Sequence, residues 1–173
     1  MKLKTVNQWD DEVWKKWRVI YHEAFGNSGG KQEKVIKNML NKKISHFHYI
    51  VDNEKIFAIA LTGILKNSKM LLIDYLAVSK EVRYQGVGKK LVHEIKKWAQ
   101  LRGFSGILIE VEAEQTVTNA VRIQFWKKCG FIETSYVHDY KVVKELYKTM
   151  YISFYPFIKI QNYPKKRRIS SYY

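Results

Sequence analysis

Apolar residues recur along this chain in two rhythms, one near 3.6 residues and one of two. The first rhythm runs over residues 9–25, where Val13, Trp17, Ile20, Tyr21 and Ala24 form one stripe. That stripe predicts a helix, and GNSGG at 26–30 stops it. A second helix is predicted over 31–42, basic outside, with Val35, Ile36, Met39 and Leu40 inside. KLKTV at 2–6 reads as a short first strand. Three further strands follow: HFHYIVD (46–52), KIFAIALTGIL (55–65) and KMLLIDYLAV (69–78). The turns DNE (52–54) and KNS (66–68) join them as an antiparallel meander.

The helical rhythm returns over 85–101, with Val87, Leu91, Ile95 and Trp98 on one face and Gly103 at the end. GILIEVEA (106–113) is a strand, and a strand–helix–strand unit closes parallel to its partner. The loop EQTVT (114–118) leads to a helix over 119–128, which Gly130 caps. FIETSYV and LYKTMYISFY supply two last strands. The expectation is one mixed α/β domain over 1–154, antiparallel first and parallel in the middle, with a basic tail over 155–173. The segment PFIKIQNYPKKRRISSYY (156–173) has five basic residues, no acidic one and no apolar period, so it reads as extended or partly disordered. There is no internal repeat.

Composition sharpens this little. A chain of 173 residues suits one domain with a sizeable core. No apolar run reaches 18 residues, and the N-terminus lacks the apolar core of a signal peptide. A single cysteine, Cys129, makes no internal disulfide, which suggests a reduced, cytoplasmic protein. The net charge of +15 does change the picture, because it favours polyanionic partners: nucleic acid, an anionic membrane surface or a phosphate-rich cofactor.

The stretch VRYQGVGKKL (82–91) narrows that choice. A helix N-terminus binds anions through unpaired N–H groups and its dipole. Gly86 and Gly88 clear the approach, and Arg83, Lys89 and Lys90 add charge. A Walker loop would need Gly at position 83 and Ser or Thr at 90, where Arg and Lys stand; a Rossmann fingerprint would need Gly at 91, where Leu stands. The spacing R-x-x-G-x-G after Leu76, Ala77 and Val78 instead resembles the acetyl-CoA-binding motif of the GNAT superfamily of N-acetyltransferases. The strand order, IEV at 109–111 and NAVRIQFWKKCGF at 119–131 extend the resemblance over roughly residues 1–152.

The resemblance implies a fold and a cofactor site. The fold is a single-domain, mostly antiparallel sheet of six or seven strands, splayed between its fourth and fifth strands and flanked by about four helices, with acetyl-CoA in the gap. The pyrophosphate would lie on the backbone of Gln85, Gly86, Val87, Gly88, Lys89 and Lys90, beside Arg83 and Tyr84. Leu76, Ala77 and Val78 would pair with the pantetheine arm. Phe125, Trp126 and Lys128 of the last helix would complete the site. Asn119 fits either a pantetheine contact or a plain helix cap.

The implied reaction is direct attack of a primary amine on acetyl-CoA in a ternary complex. An amine with a pKa near about 10.4 must first lose a proton, and a carboxylate can accept it. The candidates are Asp74, Glu110 and Glu112. Glu110 and Glu112 share a strand face, and Glu110 aligns with a base in some members. Asp74 interrupts an apolar strand, so it is either functional or partnered. Each could equally be a solvated or paired group. Where the family usually has an acidic tyrosine this chain has Trp126, which donates but is no usable acid. Tyr136 or Tyr140 could replace it, or the thiolate could leave unassisted.

Other features weigh less. Cys129 could be a nucleophile, but a small buried residue suits it better. His46 and His48 share a strand face without a third ligand, so no metal is expected. KKRR (165–168) near Tyr163, Tyr172 and Tyr173 could touch nucleic acid, or be a solvated tail. In the family the first two helices usually wall the acceptor. Here they carry Trp9, Trp14, Trp17, Tyr21 and Phe25 beside Asp10, Asp11, Glu12 and Glu23. Those suit a cationic amine, such as a polyamine, an aminoglycoside or a peptide lysine, or simply a packed helix with an acidic first turn. Two other readings stay open: a CoA-binding module without catalysis, and a nucleic-acid-associated basic protein. A homodimer is compatible with either.

Overall fold

Period-two stretches pair into a sheet and period-3.6 stretches cover it, in a computed structural model that describes residues 1–26, 29–139 and 146–155. The chain order is β1 (Lys2–Val6), α1 (Asp11–Phe25), α2 (Glu33–Asn41), β2 (Ser45–Asp52), β3 (Lys55–Leu65) and β4 (Met70–Val78). It continues with α3 (Val87–Leu101), β5 (Gly106–Glu112), α4 (Val117–Lys128), β6 (Ile132–Asp139) and β7 (Leu146–Ser153). The seven strands lie in the order β1-β2-β3-β4-β5-β7-β6. Every pairing is antiparallel except β4 with β5. The predicted tail, with KKRR, lies outside the described residues.

Side-chain caps set the helix ends where periodicity could not. The Asp10 carboxylate accepts from the N–H groups of Glu12 (2.9 Å) and Val13 (3.0 Å), so α1 starts after it rather than at residue 9. Trp9 Nε1 donates to Asp11 at 2.8 Å, and Lys15 pairs with Glu12 at 2.6 Å. The acidic first turn of α1 is thus a capping device, not an acceptor wall. Thr116 caps α4, its hydroxyl accepting from the Asn119 N–H at 3.1 Å. That moves the helix start to Val117 and replaces the reading of Asn119 as cap.

Two cores flank the sheet. On one face α3 packs Leu91, Val92, Ile95 and Ala99 onto Leu71, Ile73, Ile107 and Ile109. On the other α1 and α2 bury Trp14, Trp17, Ile20, Tyr21, Ile36 and Leu40 against Phe47, Ile59 and Leu61. The α1 stripe differs from the predicted one: Trp14 is buried and Ala24 is exposed. Trp17 stacks on Phe47 with ring centroids 4.5 Å apart, and such aromatic pairs dominate this core.

One residue resets β4. Leu61 lies opposite Tyr75 and Thr62 opposite Ile73, so Asp74 is the extra residue of a bulge. Before it the odd positions Leu71 and Ile73 face α3; after it the even positions Leu76 and Val78 do. Tyr75 and Ala77 are thereby placed on the α1 side.

His46 and His48 are structural. His48 is fully buried, its ring nitrogens each 2.9 Å from the hydroxyls of Thr5 and Thr62. Both rings meet Trp98 edge-on. Burial pushes His48 down to about 3, with His46 adding to it; burial, then Arg102, pushes His46 down to about 4. The folded chain therefore keeps both neutral, while the unfolded chain protonates them below about 6.5. Their contribution to stability is complete above about pH 6.5 and drains away as pH falls toward 4, by up to about 1.4 kcal/mol per pH unit for each histidine. Denaturant midpoints should accordingly drop between pH 7 and pH 5, less so in His46→Phe; equal midpoints would contradict this account.

Candidate active site

β4 and β5 pair only from Met70 with Gly106 to Ile73 with Ile109. Beyond that Asp74–Val78 stays with β3, while Glu110–Glu112 stays with β7. The two strands part, and a cleft of about 1830 Å³ opens between them. Leu76, Ala77 and Val78 line one side, and Phe125, Val121 and Lys128 of α4 line another.

At one end stands the N-terminus of α3. Gly86, its cap residue, has φ +81°, a left-handed conformation that suits glycine, and no side chain caps the helix. The helical ladder opens with the Lys90 N–H donating to the Gly86 carbonyl at 3.0 Å. The amides of the first turn before it have no intrahelical acceptor and are open to an anion. Gly88 is needed for another reason than access. A methyl group there would sit 3.3 Å from Val78 and 3.4 Å from Phe125, so its absence lets α3 approach β4 and α4. Tyr84 is left-handed too (φ +64°) and fully exposed at the cleft mouth.

The cations of this end divide into two sets. Arg83 acts as a strut: its Nε donates to the Val78 carbonyl at 3.1 Å, and its guanidinium lies 3.6 Å from Glu23. Lys80 also reaches Glu23, at 3.4 Å. Lys89 and Lys128 line the cleft and, with His93 and Lys96, a smaller pocket of about 270 Å³ beside it.

Four predicted cofactor residues do not line the cleft. Gln85 donates to the Glu81 carbonyl at 3.2 Å, and Lys90 to the Met1 carbonyl at 3.1 Å. Asn119 is buried; it donates to the Glu114 carbonyl (3.1 Å) and accepts from Arg122 (3.2 Å), fastening the loop before α4. Trp126 packs between Phe125 and Phe131, at 5.0 and 5.1 Å, against the α3-side core.

At the opposite end the three predicted carboxylates come together. Asp74, Glu110 and Glu112 all line the cleft, past the point where β4 and β5 part. Glu112 pairs with Arg122 at 3.5 Å. Asp74 pairs with Lys31 at 3.6 Å, both side chains being largely buried. Phe25 meets Tyr75 edge-on here, with ring centroids 4.8 Å apart. Trp14, Trp17 and Tyr21, expected as acceptor wall, are core instead.

Sequence reasoning missed Lys31, Tyr75 and Tyr147. Tyr147 lies opposite Glu112 in the β5–β7 register and lines the cleft, which makes it a phenol beside the carboxylates. Alternation in LYKTMYISFY puts Tyr147, Thr149 and Tyr151 on one face, but not which strand they border. Tyr136 is half-buried on β6 outside the cleft lining, and Tyr140 lies outside the described residues. Cys129 borders the smaller pocket, and burial pushes its thiol up despite Lys89 and Lys96, so it stays protonated and is no nucleophile. Among the described residues no cluster of His, Cys, Asp or Glu could hold a metal, and no helix is long and apolar enough to cross a membrane.

A mixed sheet parted at its parallel pair, with a helix N-terminus at one end of the gap, is the acetyltransferase class of α/β fold. The sequence profile described as the Acetyltransferase (GNAT) family matches residues 7–131, and the chain belongs to that family. Solved structures agree on the fold. An aminoglycoside 6'-N-acetyltransferase complexed with coenzyme A is 14% identical (TM-score 0.70; 90% of this chain, 98% of that one). A ribosomal-protein-alanine N-acetyltransferase from Brucella melitensis is 15% identical (0.67; 88% and 99%). A spermidine N-acetyltransferase chimera from Vibrio cholerae is 12% identical (0.69; 88% and 96%). No curated protein sequence matches the chain.

The two glycines should fail differently. Gly86→Ala meets no neighbour within 4 Å, so its cost is the left-handed backbone alone, about 1 kcal/mol in denaturant unfolding. Gly88→Ala has an allowed backbone but must push Val78 or Phe125 aside, and its added cost should fall when Phe125 is also trimmed to Leu.

Proposed function

We propose that this protein transfers an acetyl group from acetyl-CoA to a primary amine by direct attack in a ternary complex. The observation that carries this reading is the unpaired edge of β4 between the open amides of α3 and the carboxylates of β4 and β5. The residues present fit the cofactor. The amides of Val87, Gly88 and Lys89, with the side chains of Lys89 and Lys128, would hold its phosphates. The edge of Leu76, Ala77 and Val78 that β5 does not meet would take its amide-bearing arm as a strand takes a neighbour. Bound there, acetyl-CoA supplies the acyl thioester.

The chain's own residues handle the proton. Asp74 and Glu110 face the gap from its two sides, each able to accept a proton from an incoming ammonium, directly or through water. Tyr147, which lines the cleft, is the phenol that would assist the departing thiolate, the role Trp126 cannot take. Asp74, Glu110 and Glu112 with Phe25 and Tyr75 favour a cationic acceptor over an anionic one. Solved neighbours act on an aminoglycoside, a protein alanine and spermidine by name, and these form the natural panel.

Calorimetric titration with acetyl-CoA should show binding that weakens several-fold in Lys89→Ala and Lys128→Ala, more at low salt than at high. No binding at millimolar cofactor removes the reading. Thiol release across the amine panel should then reveal the acceptor. Either Asp74→Asn or Glu110→Gln should lower kcat/KM by about 100-fold or more with cofactor affinity kept. If both keep full kcat/KM, the base lies elsewhere; if CoA binds but no amine yields thiol, the protein is a binding module.

A further inference from the structure

An amine of the chain itself already pairs with a carboxylate of the cleft. Lys31 lies in the short segment between α1 and α2, just after the glycine-rich stretch. Its Nζ is 3.6 Å from Asp74 Oδ2 and 5.1 Å from the centre of the Tyr75 ring. A carboxylate on one side and an aromatic face on the other are the recognition elements a cationic acceptor requires. Asp74 and Tyr75 both line the cleft, at the point where β4 leaves β5.

Lys31 is fixed in this place by its backbone. Its carbonyl accepts from the Tyr21 hydroxyl at 3.2 Å, and its N–H donates to the Tyr75 hydroxyl at 3.2 Å. Its side chain is only 23% exposed. Other lysines that pair with carboxylates differ. Lys15, Lys16, Lys55 and Lys97 are half or more exposed, and they, like the less exposed Lys127 and Lys148, pair with carboxylates that do not line the cleft. Lys80 does line it, but beside Arg83 at the phosphate end and 70% exposed.

We propose that Lys31 is an acceptor for this protein's own acetyl transfer, a self-modification site held against the cleft wall by Asp74 and Tyr75. The inference rests on the acetyl-CoA reading above. In the step, the Lys31 ammonium gives one proton to the Asp74 carboxylate. Its nitrogen then bonds to the thioester carbonyl carbon, the carbon–sulfur bond breaks, and CoA leaves as thiolate, which takes up the nitrogen's remaining surplus proton. The products are acetyl-Lys31 and CoA thiol, with Asp74 returning its proton to solvent. No further reactant is needed. Holding the amine beside the site, on the same chain as the bound thioester, makes the reaction effectively unimolecular, and that advantage separates it from chance acetylation of surface lysines. The product loses one positive charge beside Asp74 and leaves the acceptor end more acidic, which favours an external cationic amine.

The test uses the full chain, isotope-labelled acetyl-CoA and no added amine, with labelled positions located by peptide mass mapping. Lys31 should acquire label about ten times faster than the exposed Lys15, Lys55 and Lys97, or more. The rate should saturate with acetyl-CoA and stay constant per molecule on diluting the chain. Asp74→Asn should lower it about tenfold or more while calorimetry shows cofactor still bound. Label spread over lysines according to exposure, a rate linear in acetyl-CoA, or an unchanged rate in Asp74→Asn would each overturn the proposal. Lys31 unlabelled in a protein that binds acetyl-CoA and acetylates free amines sinks this inference alone. A protein that fails to bind acetyl-CoA sinks the functional reading and this inference with it.

Discussion

Strands stay in one sheet only while each edge meets the next, and β4 and β5 stop meeting after Ile73 and Ile109. The rest of the site follows from that parting. Five residues of β4 are left with one hydrogen-bonding edge unmet by β5. A ligand with amide groups of its own can meet that edge. The bulge at Asp74 falls just where the strands diverge. It reverses the facing of everything downstream, so that Leu76 and Val78 support α3 while Asp74 and Tyr75 face the acceptor side.

Much of this was legible in the sequence because local rules agreed with one another. Alternation marked the strands, and DNE formed the tight turn it suggested, with Asn53 and Glu54 both left-handed. Gly26, Gly103 and Gly130 ended their helices with positive φ, as expected of glycines just past a helix. The misreadings came from side chains whose partners are local but not periodic. Asp10 and Thr116 moved two helix starts by capping backbone amides. On α1 the core chose Trp14 over Ala24, because the stripe that meets Phe47 is offset toward the helix start.

The site was harder to read than the fold, for a topological reason. β6 and β7 alternate alike, and nothing local says that β7 inserts between β5 and β6. Only that insertion sets Tyr147 opposite Glu112 and Thr149 opposite Glu110. Lys31 was hidden for a similar reason: it reads as the first residue of a basic helix, and its meeting with Asp74 spans two elements far apart in sequence. The motif residues were visible, yet their tasks split. Arg83 and Lys80 are tied to Glu23, while Lys89 and Lys128 border the cleft. A charge of +15 therefore says less about phosphate binding than the position of two lysines does.

Helix α1 joins the two ends of the cleft. Glu23 reaches Lys80 and Arg83, which flank the turn before α3. Two residues on, Phe25 packs against Tyr75, and one turn back the Tyr21 hydroxyl holds the Lys31 carbonyl. Trp14 and Trp17 anchor the same helix in the aromatic core, so its last turn is not free to follow one end of the cleft and abandon the other. A shift of α1 large enough to break Glu23 from Arg83 would also move Phe25 against Tyr75 and slacken the hold on Lys31. The two ends of the cleft are thus one rigid assembly, built on a helix that touches both and on a strand whose single extra residue lines the gap between them.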